Sequence, residues 1–337
     1  MRRTLQAIPL LLAISVILYG ILYNMPGGPL APYLQNPHIT AADIARLKHN
    51  LGMDQPVPIQ YFKWLGHILT GDMGYSTSNS EPVFQALIER FPATLELMGA
   101  SLVISIGIGV AAGLISAVYR YSLLDYLITT GAFFGQSMPV FWFALMMQLA
   151  FSVHGIPLPF GYLIQLPTAG LTNSDTFDLG DRLEHLILPA TVLSLLGIAT
   201  FSRFMRSSLL EVLGTDYMRT AAAKGLSFRT ILFKHGLKNA LIPVVTVVAL
   251  SLPGLIGGAI ITETIFAWPG MGRLFYNALN QSDLALLMGY LLLIAFLVVF
   301  SNLLRRRLRV ARSAREVRLT RQRNGRTVTS RRHRAPR

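Results

Sequence analysis

The sequence predicts an all-α membrane protein with six transmembrane helices. Three observations predict it. The 337 residues are 52% hydrophobic and only 14% charged, where a soluble globular chain carries about 25% charge. The mean hydropathy is positive, at +0.49. Five long stretches contain no Asp, Glu, Lys, Arg or His, and a sixth apolar stretch follows Arg2 and Arg3. The same figures argue against a soluble enzyme and against disorder in most of the chain. There is no cysteine, which excludes a disulfide framework, a thiolate zinc site and a cysteine nucleophile.

A membrane helix needs about 20 mostly apolar residues. The first span is Ala7–Met25. It is expected to be retained rather than cleaved as a signal peptide, because no small-x-small site follows and Met25-Pro26-Gly27-Gly28-Pro29 reads as a helix stop. The next five are Leu97–Tyr119, Tyr126–Val153, Leu186–Ser202, Asn239–Thr262 and Leu284–Leu304. The third of these charge-free stretches is short, and its flanks extend it. Basic residues set the orientation. With the N-terminus inside, Arg120, Arg203, Arg206, Arg219, Lys224 and Arg229 fall on the cytoplasmic side, and most acids fall outside. Both termini are therefore expected in the cytoplasm.

The expected organisation is a first span over 1–25, an external segment over 26–93, a five-span body over 94–304 and a basic cytoplasmic tail over 305–337. The tail holds 14 arginines and one acid, a net charge of +13, whereas the whole chain is +14. The rest is thus a nearly neutral apolar body. The simplest reading of the tail is a cationic segment on anionic lipid of the inner leaflet. It has neither aromatics nor a recognisable fold, so a nucleic-acid partner is not expected.

The cytoplasmic loop 203–238 is the most informative stretch. Asp216 is suited to cap a helix, and Tyr217–Lys224 are good helix formers. Gly225 is suited to end it in the left-handed conformation, and Ser227 to cap a second helix toward Asn239. By shape alone, this is an amphipathic linker on the membrane or a surface for another protein.

Glu96 and Glu263 lie at external span ends, where an ionisable group needs a partner. Each reads either as part of an external gate or as a helix-end ion pair or cap. Pro139 and Pro253 are candidate kinks lining a pathway, and the Gly254–Gly258 neighbourhood suits close helix packing. No lysine is followed by Ser or Thr, so there is no Walker A motif. The seven histidines show no paired metal spacing, and His235 reads as structural. No catalytic site, cofactor or metal is expected.

The string Asp216-Tyr217-Met218-Arg219-Thr220-Ala221-Ala222-Ala223-Lys224-Gly225-Leu226 resembles the coupling segment of ABC importer permeases, and most closely the dipeptide, oligopeptide and nickel subfamily. Other blocks resemble that subfamily in the same order: Leu51–Pro56, Tyr61–Leu65, Gly71–Ser76, Arg90–Leu97, Ser137–Trp142 and Glu263–Gly272. The wider importer motif begins Glu-Ala-Ala, and Arg219-Thr220-Ala221 departs from it. The resemblance stops at Arg305. Codons permitted for Arg305–Arg318 can be chosen which, shifted by one base, read Ala-Asp-Val-Tyr-Ala-Trp-Leu-Asp-Pro-Arg-Glu-Arg-Tyr, close to the subfamily's ending. A frameshift is therefore the reading preferred for the tail.

The resemblance implies a type I ABC importer permease fold and alternating access. It implies that Asp216, Tyr217, Arg219, Thr220, Ala221, Ala222, Lys224 and Gly225 dock on an ATPase subunit. The implied partners are two ABC ATPase subunits, a second related permease subunit and an extracytoplasmic solute-binding protein. The expected cargo is di- or oligopeptide, the alternatives being a nickel complex or another small solute. A passive channel is the rival of a different class, and it would need no coupling helix.

Overall fold

The computed structural model describes the chain except for residues 1, 26–27, 31–33, 35–37, 51, 158–162, 174–177, 257–258 and 301–337. The basic tail, and with it the frameshift reading, lies outside the described residues, as do Gly257 and Gly258.

Helices fall on all six apolar stretches, with different lengths. The first is α1 (Arg2–Tyr23), interrupted by neither Pro9 nor a charge beyond its start. Two shorter helices follow, α2 (Ala41–Asn50) and α3 (Val57–Leu69). A two-residue hairpin pairs β1 (Tyr75–Ser76) with β2 (Glu81–Pro82). Helix α4 (Val83–Val118) then runs for 36 residues and begins well before the predicted span, carrying Pro92 inside it.

The predicted second internal span is broken. Helix α5 (Leu123–Ser137) and helix α6 (Val140–Gln148) meet at a 102° bend. Pro139 is the cause. It occupies the N-cap position of α6, and Met138 before it is extended at φ −72° and ψ 134°, as the residue preceding a proline prefers. After α6, a π-helical turn over Leu149–His154 leads to the hairpin of β3 (Ile156–Pro157) and β4 (Leu163–Ile164).

Helix α7 (Leu179–Leu213) is the centre of the fold and packs against α4, α5, α6 and α10. Helix α8 (Asp216–Ala223) follows it directly. The short α9 (Phe228–Thr230) passes through a π-helical turn, Ile231–Leu237, into α10 (Lys238–Ile256). The second helix expected in the 203–238 loop is therefore the approach to α10. Last come α11 (Ile260–Ile265), α12 (Met271–Asn280) and α13 (Leu284–Phe300).

Among the described residues, three helices are long and apolar enough to cross a membrane, or four if the bent α5–α6 pair counts as one. α1 and α13 contribute shorter apolar runs, Ala7–Ile21 and Leu284–Phe300.

The α4–α7 contact explains the small residues of α4. Ser101, Ser105, Gly109 and Gly113 recur every four residues, so they share one helix face. A Cβ on Gly113 would lie 2.4 Å from the carbonyl oxygen of Ser202, and one on Gly109 would lie 2.9 Å from Cβ of Phe201. The two backbones approach closely only because these side chains are absent, the usual solution where lipid supplies no hydrophobic drive between helices. Ser105 adds a hydrogen bond to the Ser194 carbonyl at 3.0 Å.

Candidate functional site

Two arginines of α7 bind acids of the α4–α5 hairpin, one near each end of the helix. Near its start, Arg182 donates from Nε to both oxygens of Glu96, at 2.8 and 3.0 Å. Farther along, Arg206 grips Asp125 with two bonds, Nε to Oδ1 at 2.8 Å and Nη2 to Oδ2 at 2.7 Å. The Asp125 side chain is 4% exposed. Its remaining acceptor capacity takes the Tyr121 amide, the Ser116 hydroxyl and the Thr129 hydroxyl. A bidentate fork of this kind fixes orientation as well as charge.

Glu263 is fully buried and has no arginine or lysine against its carboxylate in a salt bridge among the described residues. It accepts instead from Thr94 Oγ1 and from the Arg273 amide, both at 3.0 Å. The Arg273 amide belongs to the first turn of α12, where an anion meets the unpaired N–H groups and the positive dipole end. Thr94 in turn accepts from the Met271 amide at 2.8 Å, and the Trp268 indole donates to the Ala93 carbonyl at 2.8 Å. These bonds pin the turn between α11 and α12 to α4. A Cβ on Gly270 would lie 2.4 Å from the Glu263 carboxylate, and one on Gly272 would lie 2.9 Å from Cα of Ile260. The run from Glu263 to Gly272 is a close-packed joint held against α4. Asp283 acts similarly at the next corner. It is buried and accepts from Ser76 Oγ at 2.6 Å, from the Ser78 amide at 3.0 Å and from the Leu286 amide at 3.1 Å.

The other two pathway candidates have different settings. Pro139 marks the bend described above. Pro253 lies in the last turn of α10.

The loop beyond α7 is built for exposure. Met218 and Ala221 of α8 bury against Ile231, and Val212 and Leu213 pack around them. Asp216, Tyr217, Arg219, Thr220, Ala222, Lys224 and Gly225 are exposed. Leu226, Phe228 and Phe233 are also exposed, whereas Leu232 is buried. Thr215, rather than Asp216, occupies the N-cap position, and Asp216 opens the first turn. The helix ends in a Schellman motif: the Gly225 amide donates to the Ala222 carbonyl at 3.0 Å and the Leu226 amide to the Ala221 carbonyl at 3.4 Å. Gly225 has φ +77°, and a Cβ built on it would meet nothing within 4 Å. Ser227 caps the next helix by accepting from the Thr230 amide. Asn239 donates to the Tyr217 hydroxyl at 3.1 Å and to the His235 carbonyl at 2.9 Å, which ties α8 to the start of α10.

The structure therefore groups the eight loop residues on one short helix and its cap, seven of them exposed and Ala221 turned inward. It gives Glu96 and Glu263 unrelated surroundings. The sequence reading missed Asp125, whose partner lies 81 positions away; its only signal is an acid immediately before a charge-free stretch.

A membrane protein with a long central helix and an exposed loop helix is the class that this arrangement defines. Comparison with known proteins makes it specific. The family described as binding-protein-dependent transport system inner membrane component matches residues 109–315, and the N-terminal family of the same systems matches residues 1–98. The first match runs past Arg305. The oligopeptide transport system permease protein AppB of Bacillus subtilis is 40% identical over 90% of this chain and 94% of its own length. A putative peptide permease protein of Brucella suis is 41% identical over the same shares of the two chains. The dipeptide transport system permease protein DppB of Escherichia coli is 36% identical, again over 90% and 94%. Among solved structures, the inward-facing MetNI methionine ABC transporter aligns at TM-score 0.48 and 18% identity, over 67% of this chain and 98% of that one. The chain belongs to the family of binding-protein-dependent transport system inner membrane components, and is a multi-pass membrane protein.

Proposed function

We propose that this chain is a permease subunit of an ATP-driven importer of di- and oligopeptides. It spans the membrane six times in a type I importer arrangement, with both termini in the cytoplasm. Span one covers residues 1–25, the external segment 26–93, the five-span importer core 94–304 and the cytoplasmic tail 305–337. Two ATPase subunits hydrolyse the ATP. A second related permease completes the pathway, and an extracytoplasmic binding protein delivers the peptide.

The observation that carries this reading is the surface of α8. Its inward face is consumed by Met218 and Ala221, and its outward face, Tyr217, Arg219, Thr220 and Ala222 to Gly225, is exposed, with small side chains at Ala222, Ala223 and Gly225. Such a surface suits insertion into a groove of another protein. Because α8 follows α7 after a two-residue link, a push on α8 moves α7. The bidentate pairs at Arg182 and Arg206 then carry the displacement to α4 and α5. The permease is in this sense a converter between two states that differ in their contacts with the ATPases. Peptide as cargo is supported by the relatives named above.

The test is uptake by the assembled transporter in liposomes. ATP-dependent accumulation of trialanine that requires the ATPase subunits and the binding protein is the expected result. Uptake that persists without ATP would indicate a passive channel. Uptake of sugars or metal ions without any peptide would overturn the cargo.

A further inference from the structure

The two short helices after α1 face their surroundings in opposite ways. In α2 the exposed side chains include Arg46, Lys48 and His49, and Ile44 and Leu47 are drawn inward. That is the pattern of a helix in water. In α3 the pattern is inverted. Ile59, Phe62, Gly66 and Leu69 follow each other at helical spacing and share one face. The face is apolar throughout, yet Ile59, Phe62 and Leu69 are 47%, 67% and 79% exposed. The polar Gln60 is turned the other way and buried, where its amide donates to the Gln55 carbonyl at 2.7 Å. A helix that hides a glutamine and shows a phenylalanine and two aliphatic side chains is not arranged for water.

The seat of α3 indicates what covers this face. It packs on α1 within the apolar run Ala7–Ile21. The Tyr61 hydroxyl donates to the hydroxyl of the buried Ser15 at 2.9 Å, since Ser15 itself donates to the Leu12 carbonyl. One turn further along α1, the Tyr19 ring lies 5.5 Å from the rings of both Tyr61 and Trp64. At 1.5 Å per residue, Ser15 lies about 9 Å below the end of the apolar run. The side chain that meets it there belongs to α3, so α3 reaches the same depth. Along α1, Ile8, Val16, Ile17 and Ile21 are each more than half exposed, as lipid-facing side chains of a span are. Tyr61, Trp64 and Lys63 add the aromatic and basic groups that settle at the headgroup level.

We propose that α3 lies in the outer leaflet of the bilayer, with Ile59, Phe62 and Leu69 among the acyl chains. This is the geometry of an interfacial amphipathic helix, whose apolar face sinks about 5–10 Å past the headgroups. The inference rests on α1 being a span with its N-terminus inside, and it takes α3 out of the aqueous part of the external segment.

The chain has no cysteine, so single cysteines report cleanly. Phe62→Cys, Leu69→Cys, Ile17→Cys and Arg46→Cys are each labelled with bimane in the assembled transporter in phosphatidylcholine nanodiscs. Lipid with brominated acyl chains is expected to quench the labels at Phe62 and Leu69 as strongly as the one at Ile17, and to leave the one at Arg46 unchanged. Aqueous iodide is expected to give the opposite order. Two positions on α3 guard against failure of either variant to fold. Iodide quenching at both, without quenching by brominated lipid, would overturn the proposal. Insensitivity of both to either quencher would put a protein on this face and overturn it too. The Ile17 label separates this inference from the reading beneath it. If brominated lipid quenches Ile17 but not α3, only the position of α3 is wrong; if it does not quench Ile17, the first span falls and the inference with it.

Discussion

Two turns of this molecule look alike as strings and differ as objects. Thr215–Ser227, after α7, and Glu263–Gly272, between α11 and α12, each join a short helix to a glycine corner. In the first, Gly225 is required by backbone conformation, at φ +77°, and its surroundings are open. In the second, Gly270 has an ordinary φ of −93° and is required by space, with the Glu263 carboxylate where its Cβ would be. One turn keeps its outer surface available, and the other uses its surface internally. Glycine alone does not distinguish a docking surface from a packing joint; the atoms around it do.

The comparison is broken if substitutions in the second turn leave the fold intact. Glu263→Ala strips acceptors from the Arg273 amide and the Thr94 hydroxyl, and each buried orphan costs about 1–3 kcal/mol. Gly270→Val adds a clash to the same joint. Both variants are expected to lose monodisperse, inserted protein, read by gel filtration in detergent. Next in size is Asp125→Asn. It leaves Arg206 with a neutral partner, and breaking a buried pair costs roughly 3–5 kcal/mol. Lower thermal stability is expected, partly regained by Arg206→Gln in the same chain. A double-mutant cycle with no interaction between the two sites would contradict the pairing.

The apolar stretches were legible because charge is so sparse that its absence marks each one. Gly225 and Ser227 were legible because cap chemistry is local. The bend at Met138–Pro139 was half-legible: proline announces a break, but not its angle. The α7 clamps were not legible. Glu96 and Arg182 are 86 positions apart and Asp125 and Arg206 are 81 apart, and only helix packing brings them together. Nor did Gly109 and Gly113 stand out from other small residues until α7 was seen against them.

Smaller effects sharpen the other side of the comparison. Ala222→Glu places a charge on the open face of α8, and it is expected to abolish ATPase co-purification while leaving thermal stability within about 0.5 kcal/mol of the parent. Lys224→Gln should be milder still, since an exposed ion pair is worth about 0–1 kcal/mol. If α8 were only a membrane-lying linker, the order would reverse, with the lysine variant the more damaging.

Gly225→Arg tests the central claim most directly. A side chain at φ +77° strains the backbone by about 1 kcal/mol, which the packed helices absorb, while the added bulk projects into the proposed docking groove. The measurement is ATP-driven trialanine uptake by the reconstituted complex, alongside ATPase co-purification and membrane insertion. Normal insertion with lost co-purification and lost uptake is the predicted result. Normal uptake by Gly225→Arg would contradict the assignment of α8 as the surface through which ATP hydrolysis drives transport.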